Sequence, residues 1–462
     1  MSPDSPVAPV AKATWSQEGD INTTSERERW EREQLADSTQ ELIAEDARYF
    51  LHQALSTPCL NALAGAEGSW LVDVEGRRYL DFHGNNVHQI GYAHPRVIAA
   101  VKAQLDSLSF SVRRYTNGVA IELARRLTEL APGDLNRVLF APAGTIAMSM
   151  ALKIARLATG RFKTVSLWDA FHGATLDSIS VGGETQFRKG VGPLLPGAEH
   201  CPPCEIRGCP FRCGTSCNLA CADYIDYVLE REGDVAAVIG ETIRCTPSVP
   251  PPDYWKRIRA ACDRHGALLI LDEIPIGLGR SGRFFAFEHY DVVPDLVVLG
   301  KGLGGGVMPL AAVIAREELN KVDQSSIGHF THEKSPVGCA AALATLDVIR
   351  DERLVERAAE LGKRALVELE GLVKRHPLVG AVRGLGLLLG VELLHGGDPA
   401  RPARDEATRV MYAALRRGLN FKLTRGNMLT LTPPMNLSDE ELAQALRILD
   451  EALTEVERSG ER

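Results

Sequence analysis

Residues 295–306, DLVVLGKGLGGG, carry four consecutive apolar residues from Leu296 to Leu299, then Gly300, then a single lysine, Lys301, followed by Gly302, Gly304, Gly305 and Gly306. A strand that is apolar at every position has no solvent face, so it belongs inside a mainly parallel sheet covered on both sides by helices. The same pattern recurs upstream. ALLILDEI (267–274), VAAVIGETI (235–243) and RVLFAPAGTIAMSMALKIARLATG (137–160) each place an apolar strand before a polar or glycine turn, and the last runs on into an amphipathic helix. Alternating strands and helices of this kind make an α/β fold, and ligands in such sheets bind at the carboxyl ends of the strands.

Lys301 sits at such an end, among glycines that let backbone crowd close to a ligand. Burial there would lower its pKa and make the amine a nucleophile towards aldehydes, as a Schiff base with a cofactor requires. Asp272 ends the strand about thirty residues earlier. A carboxylate at that place is costly unless paired, and the N–H of a pyridinium ring is a suitable partner. Read singly, Lys301 is also compatible with a surface lysine and Asp272 with a turn cap; the pair on neighbouring strand ends is far more specific. Gly144 and Thr145 stand before an apolar-periodic helix, where free backbone N–H groups and a hydroxyl suit a phosphate. Phe171 and His172, in DAFHGAT (169–175), follow another strand, and Phe171 is placed either to stack on a flat ring or to fill the core.

The remaining chain divides around this centre. The Pro- and Ser-rich residues 1–24 are expected to form a frayed arm. A helix is expected over 24–54, with Trp30, Leu35, Leu42, Ile43 and Phe50 as its apolar stripe, and a pair of strands around Glu75-Gly76. Residues 25–95 and 341–462 are assigned to a smaller α+β domain built from both ends of the chain, with a long helix from Ser335 onward, and 96–340 to the large domain. Six cysteines crowd one insert at 201–221: Cys201, Cys204, Cys209, Cys213, Cys217 and Cys221. The C-x-x-C pair Cys201 and Cys204 suits zinc, and the last three would line one face of a helix turn, but no histidine pair or second C-x-x-C follows. A surface insertion with free thiols and no metal is the reading preferred.

Composition narrows the partners. The 462 residues are 45% hydrophobic and 24% charged, with a formal net charge of −8, so neither nucleic acid nor an anionic membrane meets the basic face it would need. No apolar run approaches a membrane span and the first 40 residues resemble no secretory leader, which gives the expectation of a cytoplasmic protein acting on a small molecule.

The spacing of Gly144-Thr145, Phe171-His172-Gly173, Glu241, Asp272-Glu273 and Lys301-Gly302-Leu303-Gly304-Gly305-Gly306 resembles the class III aminotransferases of fold type I over residues 45 to 455. That resemblance implies pyridoxal 5′-phosphate as cofactor and a homodimer with shared active sites. It also implies that Thr331 reaches the partner's cofactor phosphate, that Phe171 and Ile274 pack on the two faces of the ring, and that Glu241 is an active-site glutamate. Four positions depart from the family: Pro275 for a glutamine, Ile146 for a glutamate, Thr242-Ile243-Arg244-Cys245 for a Pro-hydrophobic-Gln-Gly loop, and Thr430 for an arginine that holds an amino acid's carboxylate. Losing that arginine puts an ordinary half-reaction with 2-oxoglutarate in doubt, although Arg425 is near enough in sequence to replace it. The chain is similar to the family's ammonia-lyases, which implies elimination from a hydroxylated aminoalkylphosphonate, with Arg113, Arg114, Arg244 and Arg425 as candidates for the phosphonate. An ω-type transaminase and a non-catalytic cofactor-binding relative are the alternatives.

Overall fold

The computed structural model describes residues 24–205, 209–213, 217–321 and 324–460. The arm expected over 1–24 lies outside the described residues except for Thr24.

The centre is a seven-stranded sheet in the order Leu135–Ala141, Ala311–Arg316, Leu296–Leu299, Leu268–Asp272, Val235–Glu241, Lys163–Leu167 and Ala198–Cys201. Every pairing is parallel except the two made by Ala311–Arg316, which runs against both neighbours. The inner strands Val235–Glu241 and Leu296–Leu299 have no exposed position, as their composition demands, whereas Leu135–Ala141, also read as apolar, is an edge strand with Asn136, Arg137 and Leu139 exposed. Helix Gly144–Thr159 packs Met148, Met150, Ala151 and Ile154 against one face of this sheet.

Two smaller sheets join distant parts of the chain. Strands Leu63–Glu67, Trp70–Asp73 and Arg78–Asp81 form an antiparallel set extended in parallel by Leu419–Asn420, so sequence near residue 80 pairs with sequence near residue 420. Strands Val379–Leu385, Leu388–Leu393, Met428–Leu431 and Lys422–Thr424 make the other, wholly antiparallel. The fully buried Arg280 ties the central sheet to this lobe by donating from Nη1 to the carbonyls of Leu387 at 3.2 Å and Pro433 at 2.8 Å. Desolvation pushes its guanidinium down to about 10.

Four sequence expectations are corrected. The helix expected over 24–54 is two, Ser25–Gln34 and Asp37–Tyr49, broken where the chain turns at Leu35 and Ala36. Trp30, Leu35 and Ile43 are buried, but Leu42 is 52% and Phe50 64% exposed, because the break rotates the second helix off the line of the first stripe. The long helix from Ser335 is likewise two, Pro336–Asp351 and Leu354–Arg375, parted by Arg353 in the left-handed region. In the insert, Cys201 ends a strand of the central sheet and only Cys221 of the last three cysteines lies in a helix, Ala220–Glu232. Cys201, Cys204 and Cys221 are buried in the main core, where thiols pack as small apolar groups, so at these three positions the chain is not at the surface as expected.

Asp295 anchors the end of the sheet away from the carboxyl strand ends. Its buried Oδ2 accepts from Arg259 at 2.6 Å and from the backbone N–H of Leu269 at 2.7 Å. Asp295→Ala strands both donors and is expected to cost about 3 kcal/mol. A lowered denaturant midpoint with cofactor content unchanged is the expected result.

Candidate functional site

The carboxyl ends of Leu268–Asp272 and Val235–Glu241, with the turn after Leu296–Leu299, open on a cavity of about 390 Å³. Lys301, Asp272, Glu241, Gly144, Thr145, Phe171, His172, Ile274 and Arg244 all line it. Sequence separations of up to 157 residues are therefore closed by the topology of one sheet.

Lys301 follows its strand with φ at +45°, a conformation that side chains bearing a Cβ seldom adopt. The next residue is closely packed: a Cβ on Gly302 would stand 2.5 Å from Oε1 of the buried Gln89, which would have to shift. Burial lowers the pKa of Lys301 and is the largest effect; Cys245 opposes it most, the ammonium of Lys422 adds to the lowering, and Asp272 and Glu241 oppose it by less. The amine is thus inclined to the neutral, nucleophilic form.

Asp272 is buried, with Oδ2 2.8 Å from Nδ1 of His172 and Oδ1 accepting the backbone N–H of Ile274 at 3.0 Å. His172 thereby fixes the carboxylate's orientation, while its own Nε2 is buried without a partner. Glu241 Oε1 accepts the backbone N–H of Phe171 at 3.2 Å and so holds the aromatic at the cavity wall. Helix Gly144–Thr159 starts after Ala143, which supplies no side-chain cap, so its first N–H groups remain available to an anion. Thr145 Oγ1 lies 2.7 Å from Thr175 Oγ1 and 3.0 Å from Ser178 Oγ. Gly173, with φ at +128°, passes so near that a Cβ would fall 2.3 Å from Thr145 Oγ1.

Pyridoxal phosphate fits these groups. The buried carboxylate of Asp272 calls for a cationic partner such as a protonated ring nitrogen. The uncapped helix start calls for an anion, and the desolvated Lys301 for an aldehyde.

The arginines are placed otherwise than the sequence suggested. Only Arg244 of the four lines the cavity, and it is engaged by Glu205 at 3.4 Å, by the carbonyl of Asp169 and by Glu241 at 3.9 Å. Arg425 points to Glu205 at 3.0 Å. Arg113 pairs with Glu333 at 3.3 Å on the outside of the chain, beside the exposed Thr331 and away from this cavity, and Arg114 is exposed. Thr331 is likewise outside the cavity of its own chain.

Sequence reading missed His83 and Lys422. Burial, with Lys422 second, pushes His83 down to about 4, so the imidazole at the cavity wall is neutral near pH 7. Lys422 and Thr424 reach the wall from one strand, Thr430 and Thr432 from and just past the next. The alternation in KLT (422–424) and MLTLT (428–432) was the available signal, since every second residue of a strand shares a face. All ten cysteines are free, and among the described residues no cluster of three or more His, Cys, Asp or Glu is arranged to hold a metal ion.

Comparison with known proteins gives the same picture. The family described as aminotransferase class-III matches residues 53–453. The (R)-1-hydroxy-2-aminoethylphosphonate ammonia-lyase of Vibrio splendidus is 48% identical over 465 residues, 97% of each chain. The 5-aminovalerate aminotransferase of Pseudomonas aeruginosa is 36% identical and covers 85% of this chain and 93% of its own. Among solved structures, an amine transaminase from an uncultivated Pseudomonas species in its pyridoxal phosphate-bound form superposes with a TM-score of 0.80. It is 32% identical, covering 86% of this chain and 95% of its own. A Bacillus anthracis aminotransferase does so with a TM-score of 0.84 at 31% identity, covering 91% and 99%.

Two outcomes are expected from this geometry. In apoenzyme reconstituted across pH, borohydride-trappable imine formation at Lys301 should reach half its maximal rate below pH 10.5, the ordinary lysine value. Lys422→Met removes a charge that disfavours the protonated amine, so it should move that midpoint up. Gly173→Ala, measured by cofactor titration of the apoenzyme, should weaken cofactor binding by about tenfold or more, because a displaced Thr145 spoils the anion site.

Proposed function

This chain belongs to the class III aminotransferases, and we propose that within them it is a pyridoxal phosphate-dependent ammonia-lyase that converts 1-hydroxy-2-aminoethylphosphonate to phosphonoacetaldehyde and ammonia. The observation that carries this reading is the 48% identity, over 97% of both chains, to the Vibrio splendidus ammonia-lyase. Thr430 at a buried position of the cavity wall, where the family's carboxylate-binding arginine would stand, supports it.

Pyridoxal phosphate supplies an aldehyde that condenses with a primary amine and a ring that withdraws electrons from the carbon bearing that amine. Asp272 would face the ring nitrogen, with His172 as the positioning residue behind it. Gly144 and Thr145 would hold the phosphate, joined by Thr331 of the partner subunit in a homodimer. Phe171 and Ile274 would line the two faces of the ring, and Glu241 keeps Phe171 in place. Lys301, once released, is the general base: its Nζ, inclined to the neutral form by burial, takes the proton from the carbon bearing nitrogen. Hydroxide then leaves the neighbouring carbon, which carries the phosphonate. Hydrolysis returns one water and divides the product into aldehyde and ammonia. One water leaves and one enters, so neither an oxidant nor an amino acceptor is consumed.

Arg244 is the sequence-nominated arginine best placed to add positive potential near the substrate, although its hydrogen bonds are committed to protein groups. No helix among the described residues is long and apolar enough to cross a membrane, which agrees with a small polar substrate met in water.

Purified enzyme given 2-amino-1-hydroxyethylphosphonate is expected to release ammonia and an aldehyde in equal amounts with no keto acid present. Turnover that requires pyruvate or 2-oxoglutarate and yields a new amino acid would instead make it a transaminase. A normal cofactor spectrum with no turnover on a broad amine panel would make it a non-catalytic relative.

A further inference from the structure

Strand Lys422–Thr424 pairs antiparallel with Met428–Leu431 so that Lys422 stands directly across from Thr430. Strand alternation puts Thr424 on the same face as Lys422, and Thr432 on the same face as Thr430, while Leu423, Leu429 and Leu431 turn into the core. All four polar residues line the cavity that Lys301 and His83 also line. At the wall position where the family's guanidinium is missing, the facing residue of the adjacent strand is a lysine.

The hydroxyls beside it have donor capacity to spare. Thr424 and Thr430 are both buried, with their Oγ1 atoms 2.8 Å apart. Two hydroxyls carry two protons, and their mutual hydrogen bond uses one. Among the described residues no protein acceptor takes the other, and a buried donor at a cavity wall is costly until a ligand accepts from it. Thr432 differs, since its hydroxyl is directed to the carbonyls of Phe82 at 3.2 Å and His83 at 3.3 Å and so is already used.

We infer that Lys422, Thr424 and Thr430 form the subsite that holds the phosphonate group of the substrate, in place of the arginine the family uses for a carboxylate. The inference rests on the lyase reading for the identity of the anion, but its geometry is independent of the reaction. A phosphonate presents three oxygens in a tetrahedral array. It needs a cation and separate donors, not the planar two-pronged fork that a guanidinium offers a carboxylate. Lys422 as point charge and the spare hydroxyl proton as directional donor meet that need. Lys422 lines the same cavity as Lys301 and His83, which sets the anion in the chamber that holds the reactive amine.

The experiment measures binding without turnover. Holoenzyme, with its cofactor site already filled, is titrated calorimetrically with ethylphosphonate and separately with propionate. Ethylphosphonate should bind more tightly than propionate. Lys422→Met should weaken it by about tenfold or more, Thr430→Val by a few fold, and Lys422→Arg by little, since the charge is kept. In steady-state assays Lys422→Met should raise KM for 2-amino-1-hydroxyethylphosphonate by a larger factor than for 2-aminoethanol, which lacks the anion; a merely structural role would move both alike. Ethylphosphonate binding that is absent in wild type, unchanged in Lys422→Met, or weaker than propionate binding overturns the inference. If binding depends on Lys422 but the hydroxyphosphonate is not turned over, the subsite stands and the lyase reading falls. If ammonia is released yet Lys422→Met changes neither binding nor KM, the lyase reading stands and the subsite falls.

Discussion

Two ionisable groups at the ends of neighbouring parallel strands, Asp272 and Lys301, are the constraint around which this molecule is arranged. Asp272 pairs in register with Val298, three residues before Lys301, so the sheet itself sets their spacing. Removing either charge from water is expensive, and the interior tolerates them by different means. The carboxylate keeps partners in His172 and the backbone N–H of Ile274. Lys301 instead shifts towards the neutral amine, and the form that burial favours is the form that reacts with an aldehyde. Strands apolar on both faces keep the surroundings dry, and buried Arg280 holds the second lobe against the strand ends to complete the wall.

The middle of the central sheet was legible because Val235–Glu241, Leu268–Asp272 and Leu296–Leu299 are apolar runs closed by a polar residue or a glycine. Lys301, Asp272, Gly144, Thr145 and Phe171 were legible for a related reason: their residue types are unusual where strands end and helices begin. Helix breaks at Leu35 and Arg353 were not, since neither residue is a proline or glycine. The single antiparallel strand, Ala311–Arg316, is as apolar as its neighbours, and composition does not encode direction. The four candidate arginines were not separable from sequence, because a guanidinium's location says little until its carboxylate partner is known.

That partner is Glu205, carried by the cysteine-rich segment. It is buried, and Arg244 at 3.4 Å, Arg425 at 3.0 Å and Arg383 at 3.9 Å converge on it from three separate parts of the chain. Burying Cys201, Cys204 and Cys221 in the core fixes the segment that delivers this carboxylate. Two of the arginines that looked available to a substrate are thereby committed to protein, and Arg383 is further bound to Glu392. The insert thus shapes the charge of the cleft from behind, through one glutamate, without placing a cysteine at the reacting centre.

The wall formed by Lys422, Thr424 and Thr430 follows from the same economy of charge. An arginine at position 430 would bring a rigid fork suited to a planar anion, and it would have to fit among side chains already buried. Threonine there leaves room, and the ammonium supplied from the strand opposite can adjust its approach about a flexible stem. Lys422 also disfavours protonation of Lys301, as a contribution secondary to burial.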